Sequence, residues 1–91
     1  MTLNVTNHSV NDVDVYALIG EIAQQVAMVP STESKRVKLP SDADLTGGVR
    51  LVVNLVGTST TYSSGKILVG SGNTINLTVA SPLDRSYWSV R

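Results

Sequence analysis

The chain has 91 residues, of which 42% are hydrophobic, and its seven basic and seven acidic residues cancel to a net charge of zero. This length and hydrophobic content predict one folded domain, residues 1–91, with a single thin core. Zero net charge argues against nucleic-acid binding, which needs a positive field. The absence of cysteine excludes disulfides, thiolate catalysis and cysteine-ligated zinc.

The hydrophobic residues are spread over short segments. No segment reaches the roughly 18–20 apolar residues that a membrane-spanning helix requires, so no membrane span is expected. A strand-like pattern begins at Leu3, so no signal peptide is expected within this chain.

Eight short segments have the composition or the alternation of β-strands. Valine, isoleucine and threonine are abundant, and β-branched side chains favour strands. The alternation is strictest near the C-terminus, where hydrophobic residues 75, 77 and 79 alternate with polar residues 74, 76 and 78. The predicted strands span residues 2–6, 11–19, 22–29, 34–39, 49–56, 66–69, 73–80 and 87–90.

In the first half of the chain, segment 2–6 is short and flanked by polar residues, so it is predicted to be a sheet edge. Gly20 and Glu21 form a two-residue hairpin loop between 11–19 and 22–29. A helix over 21–27 is the alternative on propensity alone, but it would be short. After a turn at 30–32, strand 34–39 ends at Pro40, which lacks the N–H that a sheet needs.

In the second half, residues 41–45 are predicted to form a loop or one helical turn, and glycines 47 and 48 open strand 49–56. The Ser/Thr-rich segment 57–64 is predicted to be a connection, and 70–72 a hairpin turn. Pro82 ends strand 73–80. Many short strands with turns between them predict an all-β fold: a single antiparallel sandwich of seven or eight strands with no substantial helix.

Several apolar residues point away from the predicted core and are candidates for an interface. If the neighbouring residues in each strand are buried, then Leu18, Val52, Val56 and Leu68 face outward. Clustered, they would form a patch that binds a partner. The alternative is that they are scattered singly, which is ordinary in small proteins.

No residue pattern predicts catalysis, a cofactor or a metal site. His8 is the only histidine, and its spacing from Ser9, Asp12 and Asp14 supplies no catalytic triad. Two Asp-x-Asp pairs, at 12/14 and 42/44, lack the glycine and terminal glutamate of an EF-hand loop. They are predicted to be surface carboxylates on a strand and in a turn.

Three further features bear on binding. Lys35, Arg36 and Lys38 form the only basic cluster, which is predicted to protect a strand edge, with an anion or polysaccharide contact as the alternative. Tyr62 and Trp88 are the candidates for a carbohydrate or other ligand. For Trp88 the favoured interpretation is a core plug that holds the last strand, because an indole ring buries a large area. Three N-glycosylation patterns begin at residues 4, 7 and 76.

The spacing of these strands and turns resembles that of a known class of domain. The residues that carry the resemblance are Asn7-x-Ser9, Val13-x-Val15-Tyr16, Val37-x-Leu39-Pro40, Leu51, Ile67-x-Val69, Gly72-x-Thr74-Ile75-x-Leu77 and Trp88-Ser89-Val90-Arg91. They resemble small bacterial extracytoplasmic β-sandwich domains of unassigned function, either Ig-like or transthyretin-like. The resemblance implies a location outside the cytoplasm: secreted, periplasmic or on the cell surface. It implies no catalytic residue.

Together these features predict a non-enzymatic structural or interaction module, such as a subunit of an extracellular assembly. It would associate with itself or with a protein partner through its outward apolar face or through strand edges, of which 2–6 and 87–90 are the candidates. The alternative is a monomeric carbohydrate- or ligand-binding domain that uses loops 57–64 and 41–48. An enzyme based on His8 ranks third.

Overall fold

The computed structural model describes residues 1–20, 22–39, 48–70 and 72–91. In these ranges the all-β prediction is confirmed, and the regular structure consists of eight strands and one short 3₁₀ turn, Leu83–Arg85. The strands are β1 (Thr2–Asn7), β2 (Val13–Ile19), β3 (Ile22–Val29), β4 (Ser34–Lys38), β5 (Val49–Leu55), β6 (Thr61–Ile67), β7 (Thr74–Val79) and β8 (Tyr87–Val90). No helix in the described ranges is long and apolar enough to cross a membrane.

The strands form two four-stranded sheets that pack as a sandwich. The first sheet has the order β4-β1-β7-β8, and the second has the order β3-β2-β5-β6. All the neighbouring pairs are antiparallel except β1 and β7, which run parallel. Strands β3 and β4 follow each other in the chain, so the edges that they form lie on the same side of the sandwich.

The core lies between the sheets and is almost entirely aliphatic. Each inner strand contributes every second residue, as period-2 alternation requires. The largest fully buried side chains are Leu3, Leu51, Ile67, Ile75, Leu77, Val5, Val13, Val15, Val29, Val49, Val53 and Val79. Gly48 directly precedes β5 and has φ +79°. A Cβ at this position would lie only 2.7 Å from the Ile67 carbonyl oxygen, so glycine is required here.

The hairpin between β2 and β3 is as predicted. The two strands pair antiparallel up to Ile19 and Ile22, next to Gly20. Gly20 has φ +66°, the left-handed conformation that favours glycine in such loops. The alternative of a helix over 21–27 is wrong for the described residues 22–27, which belong to β3.

The prediction that segment 2–6 is a sheet edge is wrong. Strand β1 lies in the middle of the first sheet and pairs with β4 on one side and β7 on the other. Its Leu3 and Val5 are fully buried. Alternation shows which face of a strand is buried, but it carries no information on how many neighbours the strand has, and polar outward residues suit a central strand of an exposed sheet face equally well.

Two predictions in the second half are also wrong. Strand β6 begins at Thr61, inside the predicted connection 57–64, and it ends at Ile67 rather than at residue 69. The hairpin predicted around 70–72 is also wrong, because β6 and β7 belong to different sheets and do not pair. The predictions made for Pro40, loop 41–45, Glu21 and Ser71 concern residues outside the described ranges.

Candidate interaction surfaces

Strand β3 is an edge of the second sheet that carries no charge. Among the described strands it is hydrogen bonded only to β2, so its outer N–H and C=O groups face away from the sheet. None of its eight residues is charged, and the four residues from Ile22 to Gln25 are all exposed, with Ile22 at 72%. A long, uncharged, exposed edge is a template on which another strand can pair.

The other three edges carry features that discourage pairing. Strand β4 carries Lys35, Arg36 and Lys38, so the basic cluster lies on an edge strand, as predicted. Strand β6 contains Lys66, and its pairing with β5 is irregular next to Gly65, which has φ +73°. Strand β8 has only four residues. Lysines, irregularities and short length are the usual means of protecting a sheet edge.

The outer face of the second sheet carries an apolar patch, formed by Tyr16, Leu18 and Val52, next to β3. Tyr16 lies directly opposite Val52 on the neighbouring strand, and Leu18 is two residues along from Tyr16 on the same face. All three are half-buried. Because Ala23 of β3 lies opposite Leu18, the patch continues to the β3 edge.

The other two interface candidates lie apart from this patch. Val56 follows the end of β5, where its N–H donates to the Asp12 carbonyl oxygen at 3.0 Å, and it is 42% exposed. Leu68 follows β6 at the end where β5 begins, and it is 73% exposed. The length of β5, about 20 Å, therefore separates the two. The structure brings together Leu18 and Val52 but neither Val56 nor Leu68.

Both ligand candidates have rings that face the interior. Tyr62 lies in β6 opposite the buried Val53, and Trp88 lies in β8 opposite the buried Leu77. Both side chains are half-buried and pack against the core. Burial raises the pKa of the Tyr62 phenol above its usual value. Tyr62 therefore belongs to strand β6 and not to the loop predicted over 57–64.

Trp88 also joins the two sheets. Its indole Nε1–H donates to the carbonyl oxygen of Ser64, at 3.3 Å, across the side of the sandwich where β8 and β6 are the edges. Buried tryptophan usually finds such an acceptor for its N–H. This position matches the core-plug interpretation of Trp88, with the ring holding the last strand against the opposite sheet.

A buried polar cluster around Asn7, which sequence reasoning missed, holds three chain segments together. Asn7 is fully buried, and its Nδ2 lies 2.8 Å from the carbonyl oxygen of Asn11, 3.1 Å from that of Val29 and 3.2 Å from that of Pro30. Its Oδ1 accepts from the backbone N–H of Ser9 at 2.9 Å and from the Ser9 hydroxyl at 2.7 Å. Because the Asn7 amide is enclosed and bonded, the glycosylation pattern that begins there is closed to modification in the folded chain.

Three of the described residues considered for catalysis or metal binding, Ser9, Asp12 and Asp14, have hydrogen-bond partners. The Ser9 hydroxyl is buried against Asn7, whereas His8 is exposed. Asp12 accepts from the Ser31 N–H at 2.9 Å, and Asp14 accepts from the Gln25 amide at 3.2 Å. Within the described ranges, no three His, Cys, Asp or Glu side chains come together as metal ligands would.

Comparison with known proteins adds no relative to this description. No family model matches the chain, and neither the curated proteins nor the solved structures contain a match. The candidate surfaces are therefore interpreted from their own chemistry.

Proposed function

We propose that this domain is a non-enzymatic interaction module that associates with a second copy of itself through the β3 edge, as a subunit of a larger extracellular assembly. The observation that carries the proposal is the uncharged, eight-residue edge formed by β3, of which residues 22–25 are exposed. The apolar patch of Tyr16, Leu18 and Val52 lies beside it, on the outer face of the same sheet.

The contact would form by strand addition. Two copies of β3 that pair antiparallel around a two-fold axis would join two four-stranded sheets into one continuous sheet of eight strands. Backbone N–H and C=O groups would supply the hydrogen bonds. The exposed half, residues 22–25, lies beyond the irregularity in the β2–β3 pairing between Val15 and Tyr16, so pairing would centre there.

A second copy fits this edge better than a charged partner does. Neither of the two strands would bring a charge to the contact, so no ion would lose water without a compensating partner. A strand from a basic or acidic partner would place a charge against the exposed Ile22 and Ala23, which is less favourable.

The test is the mass of the chain in solution, measured by light scattering after gel filtration. We expect the unmodified chain to form a dimer, and Ala23→Lys to run as a monomer of 9.6 kDa with an unchanged circular dichroism spectrum. Ser59→Lys adds the same charge at an exposed position between β5 and β6 and should leave the oligomer intact. A monomeric unmodified chain would refute the proposal.

A second pair of variants tests the apolar patch. Val52→Asp introduces a carboxylate into the patch, which strand addition leaves exposed, so this variant and Leu68→Asp, at the end of the opposite edge strand, should both leave the oligomer intact. If Val52→Asp gives a folded monomer, the contact covers the outer face and is not confined to the edge. If Leu68→Asp alone dissociates the oligomer, the contact does not involve β3.

The alternative of a monomeric carbohydrate- or ligand-binding domain has less support in its loop-based form. That form relies on Tyr62 and Trp88 as exposed platforms, and both rings pack against the core. Loop 41–48 lies almost wholly outside the described residues.

A further inference from the structure

The two central strands of the first sheet carry the same motif in register. Residues 2–6 of β1 and 74–78 of β7 both read Thr-x-Asn-x-Thr. The strands run parallel, and Thr2, Asn4 and Thr6 lie opposite Thr74, Asn76 and Thr78. Because the intervening residues are buried in the core, all six polar side chains lie on the outer face of the sheet.

The two asparagines form the centre of this polar face. The Asn4 Nδ2 donates to the Asn76 Oδ1 at 3.0 Å, which fixes both amides against each other. This arrangement leaves the Asn4 Oδ1 as an acceptor and the Asn76 Nδ2 as a donor at the surface. Both line a shallow depression of about 390 Å³, together with Thr6, Ser34 and Arg36. A ligand here would meet a prearranged set of amide and hydroxyl groups.

The same face is positively charged, although the whole chain is neutral. Arg36 lies opposite Asn4 on the edge strand β4, and Lys38 lies opposite Thr2. At the other edge, Arg91 is hydrogen bonded to Thr74 through both backbone groups, at 2.8 Å each, so it extends the ladder on β7. None of the described residues paired across this outer face is acidic.

An exposed aromatic ring completes the face. Tyr87 of β8 lies opposite Thr78 and is 62% exposed. It stands three strand spacings from β4, or about 14 Å from the basic edge. A tyrosine ring exposed beside hydroxyl groups can stack on the apolar face of a sugar ring while its own hydroxyl stays in water.

We propose that this face binds an acidic polysaccharide, a sugar chain that carries carboxylate or sulfate groups. The amide pair and the threonines would hydrogen bond to sugar hydroxyls, Tyr87 would stack on one sugar ring, and Arg36 would bind an acidic group through its planar guanidinium. A nucleic acid fits less well. Its binding is driven by the release of counterions from the phosphate backbone, and the three cations Arg36, Lys38 and Arg91, on a chain of zero net charge, would release few of them.

This proposal does not rest on self-association through β3, because β3 belongs to the other sheet. The test is titration calorimetry of the full chain with alginate as a polyuronate, heparin as a sulfated polymer, dextran as a neutral polymer and a single-stranded oligodeoxynucleotide. We expect alginate or heparin to bind and dextran not to. Whichever of the two binds tells whether the acidic group is carboxylate or sulfate.

Matched variants locate the binding. Arg36→Gln should weaken binding about tenfold or more, the loss expected when hydrogen bonds to a charged group disappear. Asn76→Asp keeps the acceptor for Asn4 but repels the ligand, and it should weaken binding similarly. Arg50→Gln removes an exposed arginine from the outer face of the second sheet and should leave affinity within about twofold.

Three outcomes would overturn the proposal. The first is that neither acidic polymer binds. The second is that the oligonucleotide binds as tightly as the polysaccharide, which would make the face a general polyanion contact. The third is that Arg50→Gln reduces the affinity as much as Arg36→Gln, which would place the binding elsewhere or make it a consequence of total charge.

Discussion

At the scale of single residues, Asn7 is the side chain on which the most local structure depends. It satisfies backbone groups from the segment after β1 and from the turn after β3, so one buried amide fixes how β1, β2 and β3 are connected. Buried polar groups of this kind are stabilising only while every partner is satisfied. In the described ranges, no buried side-chain polar atom lacks a partner.

Asn7→Ala should therefore be among the most destabilising substitutions in the chain. It would remove the acceptor of the Ser9 backbone N–H and the amide donor of the Val29 carbonyl oxygen, whereas the Pro30 carbonyl oxygen would keep the Glu33 N–H. We expect the free energy of unfolding to fall by about 3 kcal/mol, since each buried polar group left unsatisfied costs about 1–3 kcal/mol. Urea denaturation with an unchanged m-value would measure the loss.

Asn54→Ala is the matched control. Asn54 is half-buried on the outer face of the second sheet, opposite Asp14, where water can replace the amide. The free energy of unfolding of Asn54→Ala should differ from that of the unmodified chain by only about 0.5 kcal/mol. Equal losses in the two variants would show that the hydrogen bonds of Asn7 contribute no more than those of a surface amide.

At the scale of elements, the turn between β3 and β4 joins the two sheets and carries backbone strain. The Glu33 N–H donates to the Pro30 carbonyl oxygen at 3.1 Å, which closes a four-residue turn. Thr32 has φ +63°, a conformation that is unfavourable for a β-branched residue. The turn is held from outside, because Asp12 binds the Ser31 N–H and the Ser31 hydroxyl donates to the Ser9 carbonyl oxygen at 3.0 Å.

Thr32→Gly should stabilise the domain, because glycine adopts positive φ without a steric cost. We expect the free energy of unfolding to rise by about 1 kcal/mol, the lower end of the strain stored at such positions. The gain is not larger because glycine loses more conformational freedom than threonine on folding. Thr60→Gly, at an exposed position with no positive φ, should instead lower the stability slightly. Melting temperatures of the two variants should move in opposite directions, and a parallel decrease would show that Thr32 is not strained.

The strands show which parts of the fold the sequence determines locally. Alternation located β2, β5 and β7 to within about two residues, because each has one buried aliphatic face. It missed most of β6, an edge strand whose residues 61–66 include no aliphatic side chain. It also misplaced β1 and the segment 70–72, since pairing between strands far apart in the chain depends on the packing of the whole sandwich.

The candidate surfaces were predictable to a similar extent. Leu18 and Val52 were placed on one outward face because both alternate with core residues, and the structure brings them together. The exposed edge of β3 was not predicted, since its status depends on which strand ends the sheet. The repeat in β1 and β7 was visible in the sequence, but it has meaning only once the two strands are known to be parallel neighbours.

At the scale of the whole molecule, each side of the sandwich is closed by a different kind of contact. On the side of β3 and β4, the Asn7 cluster and the turn at Thr32 join the sheets. On the side of β6 and β8, the aromatic side chains of Tyr62 and Trp88 pack against the core, and Trp88 donates across to β6. The second side therefore relies on the burial of rings, one of which is ionisable.

This difference predicts a loss of stability at alkaline pH. Burial raises the pKa of the Tyr62 phenol, whereas the same phenol ionises near pH 10 in the unfolded chain. Above about pH 10 the unfolded state releases this proton more readily than the folded state, so the free energy of unfolding falls as the pH rises. Below about pH 10 both states hold the proton, and the contribution of Tyr62 is fully retained.

Tyr62→Phe removes this ionisation, so the free energy of unfolding should fall less steeply with pH above about pH 10. We expect the stability of Tyr62→Phe relative to the unmodified chain to increase between about pH 9 and about pH 11 in urea denaturation, because phenylalanine cannot ionise. Tyr87→Phe alters an exposed ring outside the core and should leave the pH dependence as it is in the unmodified chain. If Tyr62→Phe and Tyr87→Phe instead change the pH dependence of stability equally, Tyr62 is not buried on folding. Only Trp88 would then close this side of the sandwich.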